Sequence, residues 1–597
     1  MRFVHLYSNK SDVFVPIVFN RGLNVIVGRI TKPKDSGKDS HNLGKSLFAK
    51  LIDFCLLKEI NKHHFLKKHL DRFKDFEFYL EIELNSGKFL TVRRPVTANT
   101  KIAMWLADSP QGNLSGLPLD QWPIKPASIT AAKEQLNNLL GFDCIDHYDY
   151  RKGVSYFLRS QDDYRNVFQL EKFSGGRHSE WKPFMAMLLG YSESIVRKKY
   201  EVDDAIETEQ AFAARYAAQS GTRADSFDKI RGLLNIKRQE LSQLEEALSA
   251  FDIHRRDSGL NEELVSDLER RTSEINDRLY SIDYELSEIE HALEKRLAFD
   301  LEKLKRVFEE ARLVLPTTML RPYEELTAFH RAITEDRNNR LSQRRDELSK
   351  ERVGLESDLQ GISTRRTEIL SILREEDWFK RMNHIQSDVA KASGEISRLE
   401  AQLETVNQLE EVRKTIESLE ESKIKLVGQL RDEIVQSNPT FEAIRKRYNE
   451  IFRAVFSVPA LLSVSLNGEG NLEFEATPVQ DDSLLLATSE GQGNTYKKVL
   501  CAAFDLALLE TYRVQSFYRF VYHDGIFESL DDRKKLNLLR LVRESCKSFD
   551  LQYMMSLIDS DIPRSPTGRR VEFLDNEVIL ELHDDGDDGR LFKMPKF

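Results

Sequence analysis

Two Gly-Lys pairs stand close together near the start of the chain: Gly37-Lys38, followed by Asp39, and Gly44-Lys45, followed by Ser46. A loop that holds a triphosphate needs backbone N–H groups aimed at phosphate oxygens, a lysine, and a hydroxyl for a divalent cation. All of these belong at a helix N-terminus that follows a strand. Asp39 denies the first pair its hydroxyl, and no apolar helix follows it. The second pair meets the requirement, because "LNVIV" reads as a strand and an apolar helical run, "LFAKLIDFCLLKEI", begins at Leu47. One departure stands out: Asp39 holds the place of the motif's first glycine, and Gly28, which ends the strand, lies farther upstream. Taken alone, Gly44-Lys45-Ser46 fits an ordinary turn as well as a phosphate loop.

Two later stretches carry compatible chemistry. In "ATSEGQGNTYKKVL", Ser489, Gly491 and Gln492 open a long helix and make a second N-terminus suited to an anion. In "RFVYHDGIFESLDD", a mostly apolar strand ends in Asp524. A carboxylate at a strand end suits a cation such as Mg²⁺ held partly through water. Each stretch has a plainer counterpart, a capped helix or a turn aspartate. It is their order and spacing together that favour a nucleotide site.

These groups lie near opposite ends of a 597-residue chain, so the elements between them must bring them together. Residues 1–194 read as mixed α/β. "VFVPIVFNRGLNVIVG" gives two strands joined at Asn20-Arg21-Gly22, and "FEFYLEIELNSGKFLTVRR" a hairpin turning at Asn85-Ser86-Gly87. Residues 436–597 return to α/β, with strands "LLSVSLN", "LEFEAT" and "FYRFVYHDG" around the helix "YKKVLCAAFDLALLETY". Between them, 195–435 is poor in proline and glycine. Ile275, Leu279, Ile282, Leu286, Ile289 and Leu293 recur at three and four, and Leu341, Leu348, Leu355, Ile362 and Ile369 at seven. Sustained heptads with charged flanks predict a coiled coil, with a bundle of separate amphipathic helices as the alternative. Breaks at 254–259 and 375–383 lie about equally far from "LPTTMLRPY" (315–323). That spacing predicts an antiparallel hairpin with its apex near 315–323 and a joint near 254–259/375–383. At ~1.5 Å per residue its arms would extend on the order of 150 Å. The two globular segments are then either two lobes of one domain or two separate domains.

Charge and composition narrow the function. A net charge of -10 argues against nonspecific coating of nucleic acid, while leaving room for a local basic site. Such sites are candidates where the coil leaves and re-enters the globular part: Arg197, Lys198 and Lys199 in "VRKKY", and Arg445, Lys446 and Arg447 in "RKRY". Lys67, Lys68 and Arg72 make a further basic cluster. A solvated charged face is the plain reading of each, and salt-sensitive binding of double-stranded DNA or DNA ends the functional one. The four cysteines, far apart and without a CxxC, fit neither a disulfide framework nor a zinc site. No secretory pattern opens the chain, and no apolar run nears the ~18 residues a membrane span needs. A cytoplasmic protein without a membrane partner is expected.

With these motifs in place, the sequence resembles the SMC/RecF/RecN branch of the ABC-type ATPases, whose head is split by a coiled-coil hairpin. The resemblance implies an α/β ATPase head of N- and C-terminal lobes, with ATP and Mg²⁺ as ligands. Gly44, Lys45 and Ser46 would be its Walker A residues. Gln161 in "FLRSQDDY" would be the Q-loop glutamine, sharing the cation and the catalytic site with Asp524 of Walker B. Ser489, Gly491 and Gln492 would form the signature and Leu530-Asp531 the D-loop, acting on the nucleotide of a second head in a homodimer. Two departures bear on hydrolysis. The glutamate that follows the Walker B aspartate in this family is Gly525, and the switch histidine is missing, with only Ser556 and Asp559 nearby. Glu528, the nearest carboxylate, is expected to face the dimer interface. A slow, ATP-gated enzyme follows from that. The "KDSHNLGKS", "RSQDDY" and "HDG" stretches look most like a bacterial subgroup found in three-component ABC conflict systems, of which Lamassu-type anti-phage and anti-plasmid defence is similar. That implies a DNA sensor controlling a separate effector with accessory subunits. A RecN- or RecF-type repair ATPase and a non-catalytic coiled-coil scaffold are the alternatives.

Overall fold

A computed structural model describes residues 1–29, 43–145, 147–220, 227–256, 262–294, 320–370, 376–479 and 494–597. Along the chain come strands β1 (Arg2–Ser8), β2 (Ile17–Val18) and β3 (Leu23–Arg29), then helix α1 (Lys45–Cys55). Strands β4 (Glu77–Glu83), β5 (Phe89–Pro95), β6 (Ile102–Ala107), β7 (Ile124–Ala127) and the short β8 (Leu158–Arg159) follow. Five long helices come next: α2 (Glu193–Ser220), α3 (Phe227–Arg256), α4 (Glu262–Glu294), α5 (Leu320–Leu370) and α6 (Glu376–Val435). The C-terminal part contains α7 (Pro439–Phe456), β9 (Ala460–Leu466), β10 (Leu472–Pro478), α8 (Asn494–Thr511), β11 (Phe520–Asp524), α9 (Asp532–Phe549), β12 (Gln552–Ile558) and β13 (Val578–His583). The described residues form two units, Met1–Ala205 with Leu419–Phe597, and Ile206–Ser418.

In the first unit a five-stranded sheet runs in the order β13-β3-β12-β11-β8, with all its pairs parallel. Its central strands are nearly continuous apolar runs, "LNVIVGR" in β3 and "QYMMSLI" in β12, as a sheet covered on both faces requires. Strands from the two ends of the chain are interleaved in this sheet, so the N- and C-terminal segments build one core together. A second, antiparallel sheet has the order β2-β1-β4-β5-β6-β7. Its β4–β5 hairpin turns at Asn85-Ser86-Gly87, where Gly87 takes a φ of 84°. The strands flanking Asn20-Arg21-Gly22 do not pair with each other. β2 joins β1 in one sheet and β3 joins β12 and β13 in the other. The turn between them is held by Asn24, whose side chain accepts from the Asn20 N–H and donates to the Asn20 and Gly22 carbonyls.

α1 is shorter than its apolar run, because Leu57 turns into positive φ. The carbonyls freed at its end are taken by buried donors: Arg94 to Phe54 and Lys58, Tyr150 to Leu56. α8 is buried along most of its length and packs on α7.

In the second unit, α4 and α5 pair antiparallel through Ile282, Ile289 and Leu348, with Arg278–Glu351 and Glu285–Arg344 ion pairs beside the seam. α3 and α6 pair through Ile230, Leu234, Ile396, Leu399 and Val406, flanked by Lys237–Glu395 and Arg238–Glu400. α4 also lies against α6: Tyr280 packs on Gly394, and the Arg398 guanidinium sits 5.5 Å from the Tyr284 ring centre. The α4–α5 pair therefore folds back beside the α3–α6 pair, where the sequence predicts a hairpin with a joint near 254–259/375–383 and does not give the direction of its bend. Gly394 allows this approach by having no side chain in Tyr280's path. Of the predicted apex, 315–319 lies outside the described residues; α5 begins at Leu320, with Pro322 in its first turn, where no helical N–H is lost. Of the predicted joint, 257–259 and 375 lie outside, and 254–256 and 376–383 are helical.

Candidate nucleotide site

The site forms where the parallel sheet meets the start of α1. Gly44 caps that helix at φ 98°, a conformation that suits glycine, and a Cβ there would lie 2.8 Å from Leu591 Cβ. Among the described residues no side chain caps the helix, so its first N–H groups suit an outside acceptor. Lys45 folds back toward Gly28 at the end of β3, where its ammonium would lie 3.5 Å from an added Cβ. Burial lowers the Lys45 pKa below the ordinary lysine value, against the pull of the Asp524, Glu528 and Asp561 carboxylates.

Ser46 Oγ donates to Asp524 Oδ2 at 3.1 Å, joining residues from the two ends of the chain. Asp524 is buried at the end of β11, and its other oxygen accepts from Ser556 Oγ on the neighbouring β12. Ser556 Oγ in turn accepts from the Gly525 N–H at 3.1 Å. A hydroxyl and a carboxylate converging beside an ammonium and a helix N-terminus fit a hard cation paired with phosphate oxygens. Among the described residues no cluster of three His, Cys, Asp or Glu side chains could hold a metal alone. A cation here would draw its other ligands from water and phosphate.

Gln161 opens a short turn, Gln161–Tyr164, capped by Ser160 and Asp163. Its Nε2 donates to Glu528 Oε1 at 2.9 Å. Lys498, on the first turns of α8, donates to Glu528 Oε2 at 2.8 Å and to the Gly525 carbonyl at 2.9 Å. Glu528 is thus turned back onto Gly525 and Gln161. Asp531 caps α9, accepting from the Lys534 N–H at 3.1 Å and pairing with the Lys534 ammonium. Ser489, Gly491 and Gln492 lie outside the described residues, as do residues 30–42. Sequence reasoning overlooked Lys498, which looks like any lysine near a helix start, and gave Ser556 no role.

The basic clusters are largely engaged within the chain. Lys199 is buried and bonded to Asp203 at 2.6 Å and to Asn471. Arg197 pairs with Glu193 at 2.8 Å, Arg445 with Glu442 at 2.5 Å, and Arg447 with Glu510 at 2.6 Å and with Glu450. Lys198 and Lys446 are exposed and make no ion pair among the described residues. Lys67 donates to the Ile60 carbonyl and Arg72 to that of Pro595, while Lys68 projects to solvent.

A family model described as "Uncharacterised protein conserved in bacteria (DUF2326)" matches residues 450–596, the part that carries Lys498, Asp524, Glu528 and Ser556. No curated protein matches the chain. Among solved structures it is similar to an Smc head domain with a coiled coil and joint from Pyrococcus yayanosii. Identity there is 16%, over 93% of this chain and 92% of that one, with a TM-score of 0.34. An Smc head with an extended coiled coil from Pyrococcus furiosus, bound to the C-terminal domain of ScpA, is 14% identical. The match covers 94% of this chain and 90% of that one, with a TM-score of 0.31. A third match, an SmcHead bound to the C-winged helix domain of ScpA, is 26% identical over 20% of this chain and 36% of that one, with a TM-score of 0.17. Among the described residues no helix is long and apolar enough to cross a membrane.

Proposed function

We propose that the chain is an SMC-like ATPase that binds ATP with Mg²⁺ at the start of α1. The observation that supports this most is the 3.1 Å contact between Ser46 Oγ and Asp524 Oδ2, with Lys45 beside it. Ser46 and Asp524 would hold the cation, and Lys45 with the α1 N-terminus would hold phosphate oxygens. Binding of ATP measured by calorimetry in the presence of Mg²⁺ tests the reading. Lys45→Ala and Asp524→Ala should each weaken it at least ~10-fold, a loss of about 1.4 kcal/mol or more. Unchanged affinity in both variants would remove the nucleotide from this site.

The wider role rests on the sequence resemblance. In it, two heads close on ATP as a homodimer, DNA is sensed, and the closed state controls a separate effector of a bacterial defence complex. DNA contact falls to the basic side chains that project outward, Lys198, Lys446 and Lys68, rather than to the internally paired Lys199 and Arg447. Reversing these three charges should weaken duplex binding. It should also reduce the log-log salt slope by roughly one for each phosphate that is no longer neutralised. An unaltered slope would leave the chain without this DNA surface.

A further inference from the structure

We infer that Glu528 is the carboxylate that takes the proton from the attacking water when ATP is hydrolysed, placed by a turn where Gly525 supplies no side chain. The inference rests on the ATP reading above and names a residue for its chemical step.

The backbone explains how a residue four places after Asp524 returns to it. Gly525 leaves β11 at a φ of 62°, and the Glu528 N–H donates to the Gly525 carbonyl at 3.2 Å, closing a tight turn. Ile526 and Phe527, the two residues within it, are fully buried and fix the turn to the core. Glu528 is therefore held over the end of β11. A Cβ built on Gly525 would lie 2.6 Å from Glu528 Oε1. The carboxylate thus fills the space that a side chain at position 525 would enter.

Its orientation is fixed at both oxygens. Gln161 Nε2 donates to Oε1 at 2.9 Å and Lys498 Nζ to Oε2 at 2.8 Å. Lys498 is itself tied to the Gly525 carbonyl, so turn, helix α8 and carboxylate form one assembly. A carboxylate offers about four lone-pair sites, so two remain for a water molecule. Glu528 keeps 36% of its side chain exposed, so water reaches it, whereas Asp524 is buried. The Glu528 carboxylate also acts on the Lys45 ammonium, opposing the lowering of its pKa by burial.

The step balances without another reactant. The water oxygen bonds to the γ-phosphorus as the bond from that phosphorus to the β–γ bridging oxygen breaks. ADP leaves with the bridging oxygen, inorganic phosphate keeps the water's oxygen, and the proton passes to the Glu528 carboxylate and then to solvent. Gln161 and Lys498 are positioning residues in this arrangement.

Full-length Glu528→Gln, which keeps the shape and one acceptor of the side chain, is the test. ATP affinity, single-turnover conversion, and the identity of the nucleotide recovered from the protein after incubation with Mg²⁺ would all be measured. Conversion should fall ~10²–10⁴-fold, the usual contribution of a positioned base, with ATP affinity within about threefold of the parent. The variant should yield ATP where the parent yields ADP. Conversion retained within about threefold would overturn the assignment, as would loss of ATP affinity in parallel with conversion. A parent chain that binds ATP and never converts it would also overturn it, leaving the binding reading intact. Lys45→Ala separates the two, since it should weaken binding itself at least ~10-fold.

Discussion

Gly525 holds its turn at positive φ, and a Cβ there would come within 2.6 Å of Glu528 Oε1 and 2.8 Å of Gln161 Nε2. Gly525→Ala must therefore displace the carboxylate or the amide, and it also places a methyl group in a backbone region that costs roughly 1–2 kcal/mol. Turnover should drop at least ~10-fold while ATP affinity changes little, as read by single-turnover assay and calorimetry. Ser556 supports the same spot from below, donating to Asp524 and accepting from the Gly525 N–H. Ser556→Ala removes a hydrogen bond from the buried Asp524 carboxylate, while the Gly525 N–H keeps the Ser556 carbonyl at 3.3 Å. It should lower stability by about 1–3 kcal/mol, seen as a reduced urea midpoint. The approach of Ser46 to Asp524 was open to anticipation, because a hydroxyl after Gly-Lys and a carboxylate ending an apolar strand are distinctive side chains in distinctive places. Glu528 was not, because its position depends on the sign of φ at Gly525 and on two buried turn residues. None of these is a feature of residue type at fixed spacing.

Among the elements, β8, β11 and α8 are joined by one buried polar network. Arg159 donates to both oxygens of Asp505 at 2.5 and 2.8 Å, with neither side chain exposed. His523 Nε2 lies 3.1 Å from the same carboxylate and its Nδ1 2.7 Å from the Tyr553 hydroxyl. Burial lowers the His523 pKa, with Asp505 opposing and Arg159 assisting, so the ring is neutral at pH 7. The network locks the strand that ends in Asp524 to the segment that leads into Gln161. Asp505→Ala strands a buried guanidinium and should cost about 3–5 kcal/mol. Arg159→Met with Asp505→Leu should recover part of that, since it removes both ions but takes partners from His523 Nε2 and the Val167 carbonyl. Urea unfolding of the single and double variants measures the difference. In the second unit the heptads specified which helices pair, but the fold-back of α4 onto α6 turns on Gly394 and Tyr280. A lone glycine on a coiled-coil face carries no periodic signal, so sequence pattern marks a joint in the hairpin without showing which helix faces pack across it.

For the whole molecule, the order of the parallel sheet makes the two ends of the chain depend on each other. β3 and β8 come from one end of the sequence and β11, β12 and β13 from the other, and β3 is flanked on both sides by strands of the C-terminal segment. Neither segment can complete the sheet by itself, and the ion pairs Arg2–Asp550 and Arg21–Glu83 tie the N-terminal sheet to the same core. The mixed α/β character of each segment was visible in runs such as "LNVIV" and "FVYHD". Residue pattern alone leaves their interleaving as one of two possibilities, and only the family resemblance implies a shared head, because strand order is set by long-range pairing that local pattern does not encode. Residues 1–205 expressed alone should be insoluble or unfolded, since β3 would expose apolar residues on both edges and faces. Co-expressed with residues 419–597, they should copurify as one soluble unit and bind ATP with Mg²⁺, sensitive to Lys45→Ala on one fragment and Asp524→Ala on the other. Independent folding of either fragment, seen by circular dichroism and cooperative unfolding, would show that the two segments do not depend on a shared sheet.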